Sequence, residues 1–381
     1  MKLSERIKSL PPYLFAELDE IKRKKIEQGV EVIDVSIGDP DLPTHPLIVR
    51  KLQEEAEDPR NHGYPSYEGD KSFRESFVSW YSRRFGFDFD PDESLVLIGS
   101  KEGIAHIHIA FIDPGDLVIC PDPAYPVYSI WTKFCGGKVF NIPLKEEKGF
   151  LLDIENVPQD ILSRTKMVWI CYPNNPTTAC ADEEYYKKIA FYSKKYGFVV
   201  AVDLAYSEIY FDSPPISFFQ AVKDKSVSAI EFHSFSKTFS MAGWRIGIAV
   251  GNKQVVSALG KVKTNTDSGA FRAVQMAAKF AIENYDKIVP EIREIYRKRK
   301  DKMEEALRKG GFSFKSPKAT FYIWINCGGS SREFVKNLIE KYGIILTPGI
   351  GLGPSGEGFV RLSLTTNKIE KAADILSKVR L

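Results

Sequence analysis

A lysine stands in a run of small hydroxyl residues past the middle of the chain. Residues 232–247 read FHSFSKTFSMAGWRIG, with Lys237 between Ser236 and Thr238 and with Arg245 eight positions later. One interpretation is a serine-rich surface loop that carries a lysine. The other is a lysine that forms a Schiff base with an aldehyde cofactor, whose phosphate group the hydroxyls and the arginine bind. The Gly-Trp-Arg-x-Gly that follows favours the second interpretation.

Pyridoxal phosphate is such a cofactor, and it needs further partners that the chain supplies. A carboxylate must face the pyridine nitrogen, and Asp203 suits that role at the end of an apolar run. Asn175 and Tyr206 can hydrogen-bond the ring hydroxyl, and Tyr125 can stack on the ring. Each residue alone could equally be a helix cap, a turn residue or a core aromatic. Their joint occurrence in this order indicates a cofactor site.

The phosphate group needs a cradle of donors. Ser100 and Lys101 follow an apolar run and Gly99, so their amides would open a helix, where anions bind well. Hydroxyls of Ser234 and Ser236 would add to this cradle, with Arg245 as a charge-assisted clamp. A strand followed by a glycine turn and a helix is common, so this signal alone is weak.

Apolar runs that alternate with helical patterns must position these side chains. They predict an α/β fold with a mostly parallel central sheet and helices on both faces. Strands are predicted near 95–98, 116–120, 139–143, 167–171, 198–202, 228–232 and 246–250, and helices near 15–28, 70–85, 104–112 and 182–196. The candidate loops 99–103, 172–177, 203–206 and 234–237 all follow strands, at the edge where such sheets bind ligands.

The pattern of apolar runs that alternate with helices ends near residue 285, where a highly charged stretch begins. A charged helix near 289–308 is followed by strands near 320–325 and 358–364, with a helix near 332–342 between them. We therefore expect a large domain over 46–284. A smaller α+β domain is expected from 1–45, which includes a strand over 32–37, together with 285–381.

Composition narrows the class of protein. The 381 residues are 43% hydrophobic and 27% charged, as in a soluble globular enzyme, and the net charge of +3 argues against nucleic-acid or membrane partners. No apolar run approaches a membrane span, and the first ten residues have no signal-peptide core. Five scattered cysteines suggest free thiols in a reducing cytoplasm. The five histidines show no metal-ligand spacing, so no metal site is expected.

The motifs together resemble the class I/II pyridoxal-phosphate aminotransferases of fold type I, from Gly38 to Arg361. The segments that carry the resemblance are IGDPDLP at 37–43, GSKEGIAH at 99–106, YPNNPT at 172–177, the lysine segment at 232–247 and VKTNTDSG at 262–269. The resemblance implies that Lys237 forms the Schiff base and moves the substrate Cα proton. It gives the same cofactor roles as above to Asp203, Asn175, Tyr206 and the phosphate cradle.

The same resemblance implies how the amino acid and 2-oxo acid substrates are bound. Arg361 would clamp the α-carboxylate, helped by the Asn175 side chain and the Gly38 backbone. Tyr13 would lie at the substrate entrance. Tyr64 would reach the phosphate of a neighbouring subunit, which implies a homodimer with shared sites, and Asn265 is a further cross-subunit candidate.

Two alternatives remain open from the sequence. A β-lyase for sulfur amino acids would use the same lysine on the same fold. A cofactor-sensing regulator would need a DNA-binding extension, and none fits ahead of Leu10-Pro11-Pro12. The distal side chain of the substrate is not determined by these motifs. The family often has Tyr-Asn where this chain has Phe239-Ser240, which weakens assignment to a subgroup.

Overall fold

The fold is that of a computed structural model, which describes residues 2–8 and 16–379. Within these residues the helices are α1 (Glu5–Lys8), α2 (Ala16–Glu27), α3 (Pro46–Glu57), α4 (Lys71–Phe85), α5 (Ser100–Phe111), α6 (Val127–Phe134), α7 (Gln159–Leu162), α8 (Glu183–Tyr196), α9 (Phe218–Val222), α10 (Phe235–Thr238), α11 (Lys253–Lys263), α12 (Arg272–Glu283), α13 (Tyr285–Lys309), α14 (Ser331–Tyr342) and α15 (Ile369–Leu376). No helix in these two ranges has the length and apolar content needed to cross a membrane.

The strands of the same residues fall into three sheets. They are β1 (Ile33–Asp34), β2 (Ser94–Leu97), β3 (Leu117–Asp122), β4 (Lys138–Pro143), β5 (Thr165–Cys171), β6 (Val199–Asp203), β7 (Ala229–Ser234), β8 (Gly247–Gly251), β9 (Ser313–Phe314), β10 (Tyr322–Asn326), β11 (Ile344–Ile345), β12 (Thr347–Pro348) and β13 (Phe359–Ser363). The seven predicted strands of the central sheet are all present, with ends displaced by at most two residues.

The central sheet has the strand order β2-β8-β7-β6-β5-β3-β4. Strands β3 to β7 pair in parallel, whereas β8 runs antiparallel to both of its neighbours. The prediction of a mostly parallel sheet flanked by helices is therefore confirmed. Its central strands are buried along nearly their whole length, as expected for strands covered on both faces.

Helix α4 illustrates why the local sequence folds as it does. The Asp70 side chain accepts hydrogen bonds from the N–H groups of Ser72 and Phe73, which satisfies the first turn. Gly86 ends the helix in a left-handed conformation with φ of 64°. Its aromatic side chains are buried in the core: Phe73, Phe77, Trp80 and Tyr81.

A second, antiparallel sheet has the order β12-β13-β10-β9 and comes from the C-terminal part of the chain. The short β1 pairs in parallel with β11, Ile33 opposite Ile344, so the N-terminal segment joins this part of the molecule. These pairings support the smaller α+β domain. The division into 46–284 and 1–45 plus 285–381 stays a prediction.

Some elements differ from the sequence prediction. The strand expected over 32–37 is reduced to Ile33–Asp34. The lysine segment is a helical turn, α10, where an irregular turn was expected. Helix α5 begins at Ser100, four residues earlier than predicted, because Gly99 takes the N-cap position. Helices α3, α6, α11, α12 and α15 were not predicted.

Candidate active site

A cavity of about 750 Å³ lies where the carboxyl ends of the central strands meet the second sheet. This is the edge at which open α/β sheets bind ligands. Most of the predicted site residues line it, from both sheets: Gly38, Ser100, Lys101, Tyr125, Asn175, Asp203, Tyr206, Ser234, Ser236, Lys237, Arg245 and Arg361.

Lys237 lies on α10, directly after β7, and its side chain is half-buried. Its ammonium nitrogen donates a hydrogen bond to the Gly38 carbonyl at 3.2 Å. Burial lowers the pKa of Lys237 to about 8, and the charges of Arg361 and Arg245 act in the same direction. A lysine that releases its proton near neutral pH is suited to attack an aldehyde. The surface-loop interpretation is wrong, since Ser234 and Ser236 beside it are buried.

Asp203 ends β6 and is 5% exposed. Its Oδ2 accepts a hydrogen bond from the Tyr128 hydroxyl at 2.7 Å, and its Oδ1 accepts the Ala205 N–H at 3.1 Å. Burial raises the pKa of Asp203, and these two hydrogen bonds oppose that rise. The carboxylate is thus fixed in direction at the wall of the cavity.

Tyr128, which sequence reasoning did not select, is held in place by an aromatic side chain that stacks on its ring. Its ring stacks on Trp169 with centroids 4.5 Å apart and planes 6° from parallel. Trp169 donates its indole N–H to His108 Nε2 at 3.1 Å. Burial lowers the pKa of His108 to about 4, so the imidazole is neutral and accepts this bond. The signal that could have found Tyr128 is its position three residues after Tyr125 in the proline-rich loop.

The start of α5 forms a pocket with donors on several sides. Gly99 precedes the helix with φ of 74°, and a Cβ there would lie 2.3 Å from the Arg245 guanidinium. Arg245 thus lies across the helix start, and only glycine leaves room for it. A Cβ at Gly247 would lie 2.6 Å from the Ser100 amide nitrogen. Free helix amides, serine hydroxyls and a guanidinium together make an anion-binding pocket.

Tyr125 lines the cavity near Asp203. Burial raises the pKa of its phenol to about 12, and the negative charge of Asp203 adds to the rise. The ring therefore stays neutral. It meets the Tyr128 ring edge-on at 5.8 Å, which holds it at the cavity wall, where a flat ligand could stack.

Arg361 reaches the cavity from β13 and is 8% exposed. Its guanidinium donates to Asn175 Oδ1 at 2.7 Å and to the Ser36 carbonyl at 3.0 Å, and it lies 4.3 Å from the centre of the Tyr322 ring. Its Nε–H is buried without a hydrogen-bond partner within the described residues. An oriented guanidinium with an unused donor suits a ligand carboxylate.

Tyr322 is a second residue that the sequence analysis did not select, since it was seen only as part of a predicted strand near 320–325. Its hydroxyl lies 3.0 Å from the Tyr206 hydroxyl. A Cβ at Gly38 would lie 1.8 Å from the same oxygen. Glycine is thus required at position 38 by the close approach of Tyr322, and the turn alone does not explain it, since φ is not positive there.

Two of the predicted site residues lie outside the cavity. Tyr64 is 91% exposed and outside the cavity. The Asn265 side chain donates to the Lys261 carbonyl of the preceding helix α11 at 2.8 Å. Both were expected to act across a subunit boundary, which a single chain does not test, so both stay predictions. Tyr13 lies outside the described residues.

The expectation that no histidine has ligand spacing is wrong. His106 follows Glu102 by one helical turn, and these two side chains and Asp267 bring their polar atoms within 4.8 Å of one another. Spacing alone could have shown the Glu102–His106 pair. The cation at this cluster is the ammonium of Lys263, 3.3 Å from Glu102 and 2.8 Å from Asp267.

A lysine with a lowered pKa, a buried carboxylate and an anion pocket lie together at the carboxyl edge of a mostly parallel sheet, an arrangement that suits a transaminase. The chain belongs to the aminotransferase class I and II family, whose model matches residues 30–376. It is an enzyme of the transaminase type, and the family depends on pyridoxal phosphate.

Curated relatives match the whole chain. It is 52% identical to the LL-diaminopimelate aminotransferase of Aquifex aeolicus, over 100% of both chains. It is 47% identical to the enzyme of the same name from Nitratidesulfovibrio vulgaris strain Miyazaki F, over 99% of both chains.

Solved structures agree on the fold. Apo-BacF from Bacillus subtilis superposes with a TM-score of 0.93 at 31% identity, covering 100% of this chain and 99% of that one. A probable N-succinyldiaminopimelate aminotransferase from Thermus thermophilus gives a TM-score of 0.89 at 34% identity, covering 96% of this chain and 100% of that one. The fold-type I assignment made from the motifs is confirmed.

Proposed function

We propose that the enzyme is an LL-diaminopimelate aminotransferase of lysine biosynthesis, which exchanges an amino group between LL-diaminopimelate and 2-oxoglutarate. The observation that carries the proposal is that Lys237 and the hydrogen-bonded pair Arg361–Asn175 line the same cavity. Full-length identity of 45–52% to several enzymes of that name supports the choice of substrate. The motifs at 37–43 and 262–269 point to the same subgroup.

The residues of the cavity fit pyridoxal phosphate. The anion pocket at the start of α5 suits the phosphate, because Arg245 lies across amides that only glycine leaves accessible. Asp203 offers a buried carboxylate to the pyridine nitrogen, and Tyr125 offers a flat neutral ring. Asn175 and Tyr206 would hold the ring oxygen. When bound, the cofactor supplies an electron sink that stabilises negative charge at the substrate Cα.

Side chains of the cavity would carry out the proton transfer and bind the substrate carboxylate. Lys237, whose pKa burial lowers to about 8, would in its neutral form take the proton from the substrate Cα and return it at the other end of the reacting system. Arg361 would bind the α-carboxylate with its planar fork, and Asn175 holds that fork in direction. Half-buried and buried side chains around Lys237 limit the access of water to the proton in transit.

The proposed assembly is a homodimer with shared active sites, in the cytoplasm. Segments 62–69 and 265–271 adjoin, since a Cβ at Gly269 would lie 3.1 Å from Pro65. They present exposed aromatic side chains at Tyr64, Tyr67 and Phe271. Exposed large apolar groups in one patch are typical of a protein interface. In the proposed dimer, Tyr64 would reach the phosphate of the partner's cofactor and Asn265 would contact the partner.

Alternative substrates are glutamate with pyruvate, or aspartate, and a remote alternative is a C–S β-lyase. Glutamate formation from 2-oxoglutarate should be measured with LL-diaminopimelate, alanine and aspartate as donors. We expect the highest kcat/KM with LL-diaminopimelate. A higher value with alanine or aspartate would reassign the substrate. Release of pyruvate and ammonia from a sulfur amino acid, without an oxo acid, would identify a lyase.

A further inference from the structure

We infer that a second cavity binds a small organic monocarboxylate with an aromatic body, and that this binding is coupled to the active site. The cavity has a volume of about 460 Å³, within the range of about 300–1,000 Å³ that is usual for small-molecule sites. Among the described residues, none lines both cavities. The inference goes beyond the proposed function and does not depend on which amino acid is the donor.

The walls of the second cavity come from the loops after β4 and β5 and from β9, β10 and β13 of the second sheet. Trp324 and Phe359 stack on each other, with centroids 5.3 Å apart and planes 7° from parallel. Phe150 meets the Phe359 ring edge-on at 5.7 Å, and Phe314 also lines the cavity. These rings offer apolar faces and edges to a flat apolar ligand.

The charges of the lining leave one cation without a partner. Glu146, Lys315 and Lys318 are the charged side chains that line the cavity. Lys315 pairs with Glu146 at 3.3 Å, whereas the Lys318 ammonium has no ion pair or hydrogen bond within the described residues. Burial raises the pKa of the Cys180 thiol to about 11, and the Lys318 charge opposes this rise, so that charge reaches the cavity wall. One uncompensated cation suits a ligand with one negative charge.

The wall also has an unused donor and a strained residue. Trp324 is 5% exposed, and its indole N–H has no hydrogen-bond partner in the part of the chain that the structure describes. A buried donor without an acceptor is unfavourable, and an oxygen of a ligand could supply the acceptor. Thr178 has a φ of 64°, which a β-branched residue rarely adopts, and such strain is concentrated at ligand sites.

One face of the second sheet extends from the active site to the second cavity. Trp324 lies directly opposite Arg361 in the antiparallel pair β10–β13, so the two side chains share a face. Tyr322, two residues before Trp324, lies on the same face. Tyr322 and Arg361 line the active-site cavity, whereas Trp324 lines the second cavity. A ligand against Trp324 would therefore contact the strand pair that also positions Arg361.

The segment 174–180 makes a second connection between the cavities. Asn175 lines the active site and bonds Arg361, whereas Thr177 lines the second cavity. The Asn174 side-chain oxygen accepts hydrogen bonds from the N–H and the hydroxyl of Thr177 at 3.0 and 2.9 Å, which fixes this turn. Occupation of the second cavity should therefore change the affinity of the active site for a carboxylate, and the reverse.

The probe for the site is hydrocinnamate, a phenyl ring on a short chain with one carboxylate, and its uncharged amide is the control ligand. Binding to the holoenzyme is measured by calorimetry with excess glutarate, a dicarboxylate that competes for the carboxylate site proposed at Arg361. We expect hydrocinnamate to bind and the amide not to bind. Lys318→Met should raise the Kd about tenfold, and Trp324→Phe, which keeps a ring but loses the N–H, about threefold.

Lys166→Met is the matched control variant, because Lys166 is exposed and lines neither cavity. It should bind the probe as wild type does. Turnover of Lys318→Met at the wild-type rate without the probe shows that this variant is folded. Absence of binding, equal binding of the amide, or a Kd unchanged in both Lys318→Met and Trp324→Phe overturns the site.

The coupling is measured as the change in the inhibition constant of glutarate at saturating hydrocinnamate. We expect a change of about twofold or more in wild type and in Lys166→Met, and none in Lys318→Met at the same probe concentration. No change in wild type overturns the coupling. A change that persists in full in Lys318→Met also overturns it, because the probe would then be competing at the active site.

Discussion

Arg361 of the second sheet donates a 2.7 Å hydrogen bond to the side-chain oxygen of Asn175, which follows β5 of the central sheet. One bond thus joins the group proposed to bind the substrate carboxylate to the loop proposed to hold the cofactor ring. Because each side chain orients the other, substrate binding and cofactor positioning depend on the same contact.

Arg361→Lys should therefore raise KM for every amino acid donor. Lysine keeps the charge and loses the planar fork, so one charge-assisted hydrogen bond of about 1.5–3 kcal/mol is lost, equivalent to about tenfold or more in KM. Steady-state kinetics with two unrelated donors measure this. A KM that stays at the wild-type value for both donors would show that Arg361 does not bind the substrate carboxylate.

Lys237 should show its lowered pKa in the apoenzyme. The pKa is depressed by burial, so the folded state disfavours the protonated form and reactivity increases as pH rises through about 8. The rate at which apoenzyme takes up pyridoxal phosphate should increase with a midpoint near that pH. Lys237→Ala should lose turnover and the visible absorption of a lysine-linked cofactor. Full activity in that variant would contradict the assignment.

The lowered pKa of Lys237 should also make the stability of the apoenzyme depend on pH. Between about pH 8 and the ordinary lysine pKa of 10.5, the unfolded chain binds a proton that the folded chain has lost. Stability of the apoenzyme should therefore rise with pH in this window relative to Lys237→Ala. The free energy of unfolding of both apoproteins should be measured across this pH window. If it changes with pH equally in wild type and Lys237→Ala, burial does not disfavour the charged form of Lys237.

Tyr128→Phe should shift the acid limb of the kcat profile to higher pH. The Tyr128 hydroxyl stabilises the ionised form of Asp203, so its removal raises the pKa of that carboxyl further. Phenylalanine keeps the stack on Trp169, so the fold should be preserved. A profile that superposes on the wild-type one would mean that the phenol does not tune Asp203.

Gly38→Ala should lower kcat/KM by about tenfold or more, because a methyl group would collide with the Tyr322 hydroxyl. The double variant Gly38→Ala/Tyr322→Phe removes the colliding oxygen and should recover part of the loss. Tyr322→Phe alone provides the reference. If the double variant is no better than Gly38→Ala, the collision with the Tyr322 hydroxyl is not the cause.

The strands, the order of the motifs and most of the cavity lining could be predicted from sequence, because each depends on local patterns. Apolar runs give strands, and the residues that follow them gather at one edge of a parallel sheet. Asp203 and Lys237 were found in this way. Tyr322 and Tyr128 were not, since a tyrosine in an apolar strand or a proline-rich loop looks like core until its partner is known.

Other features could not be predicted from sequence because they depend on contacts between residues far apart in the chain. The Glu102–Lys263–Asp267 cluster joins residues 161 positions apart, so no local pattern gives it. The pairing of β1 with β11 likewise joins Ile33 to Ile344, which no local pattern gives. Helices α12 and α15 were missed although both have apolar faces, because their turn signals are weak.

The buried ammonium of Lys263 ties the first turn of α5 to the segment that carries Asn265. The anion pocket and the surface proposed to meet a second subunit are therefore connected through one buried ion-pair cluster. In the dimer that we propose, cofactor loading and self-association would share a coupling free energy and strengthen each other by the same factor. Apoenzyme would dissociate at a higher protein concentration than holoenzyme, so the oligomeric state would depend on cofactor binding.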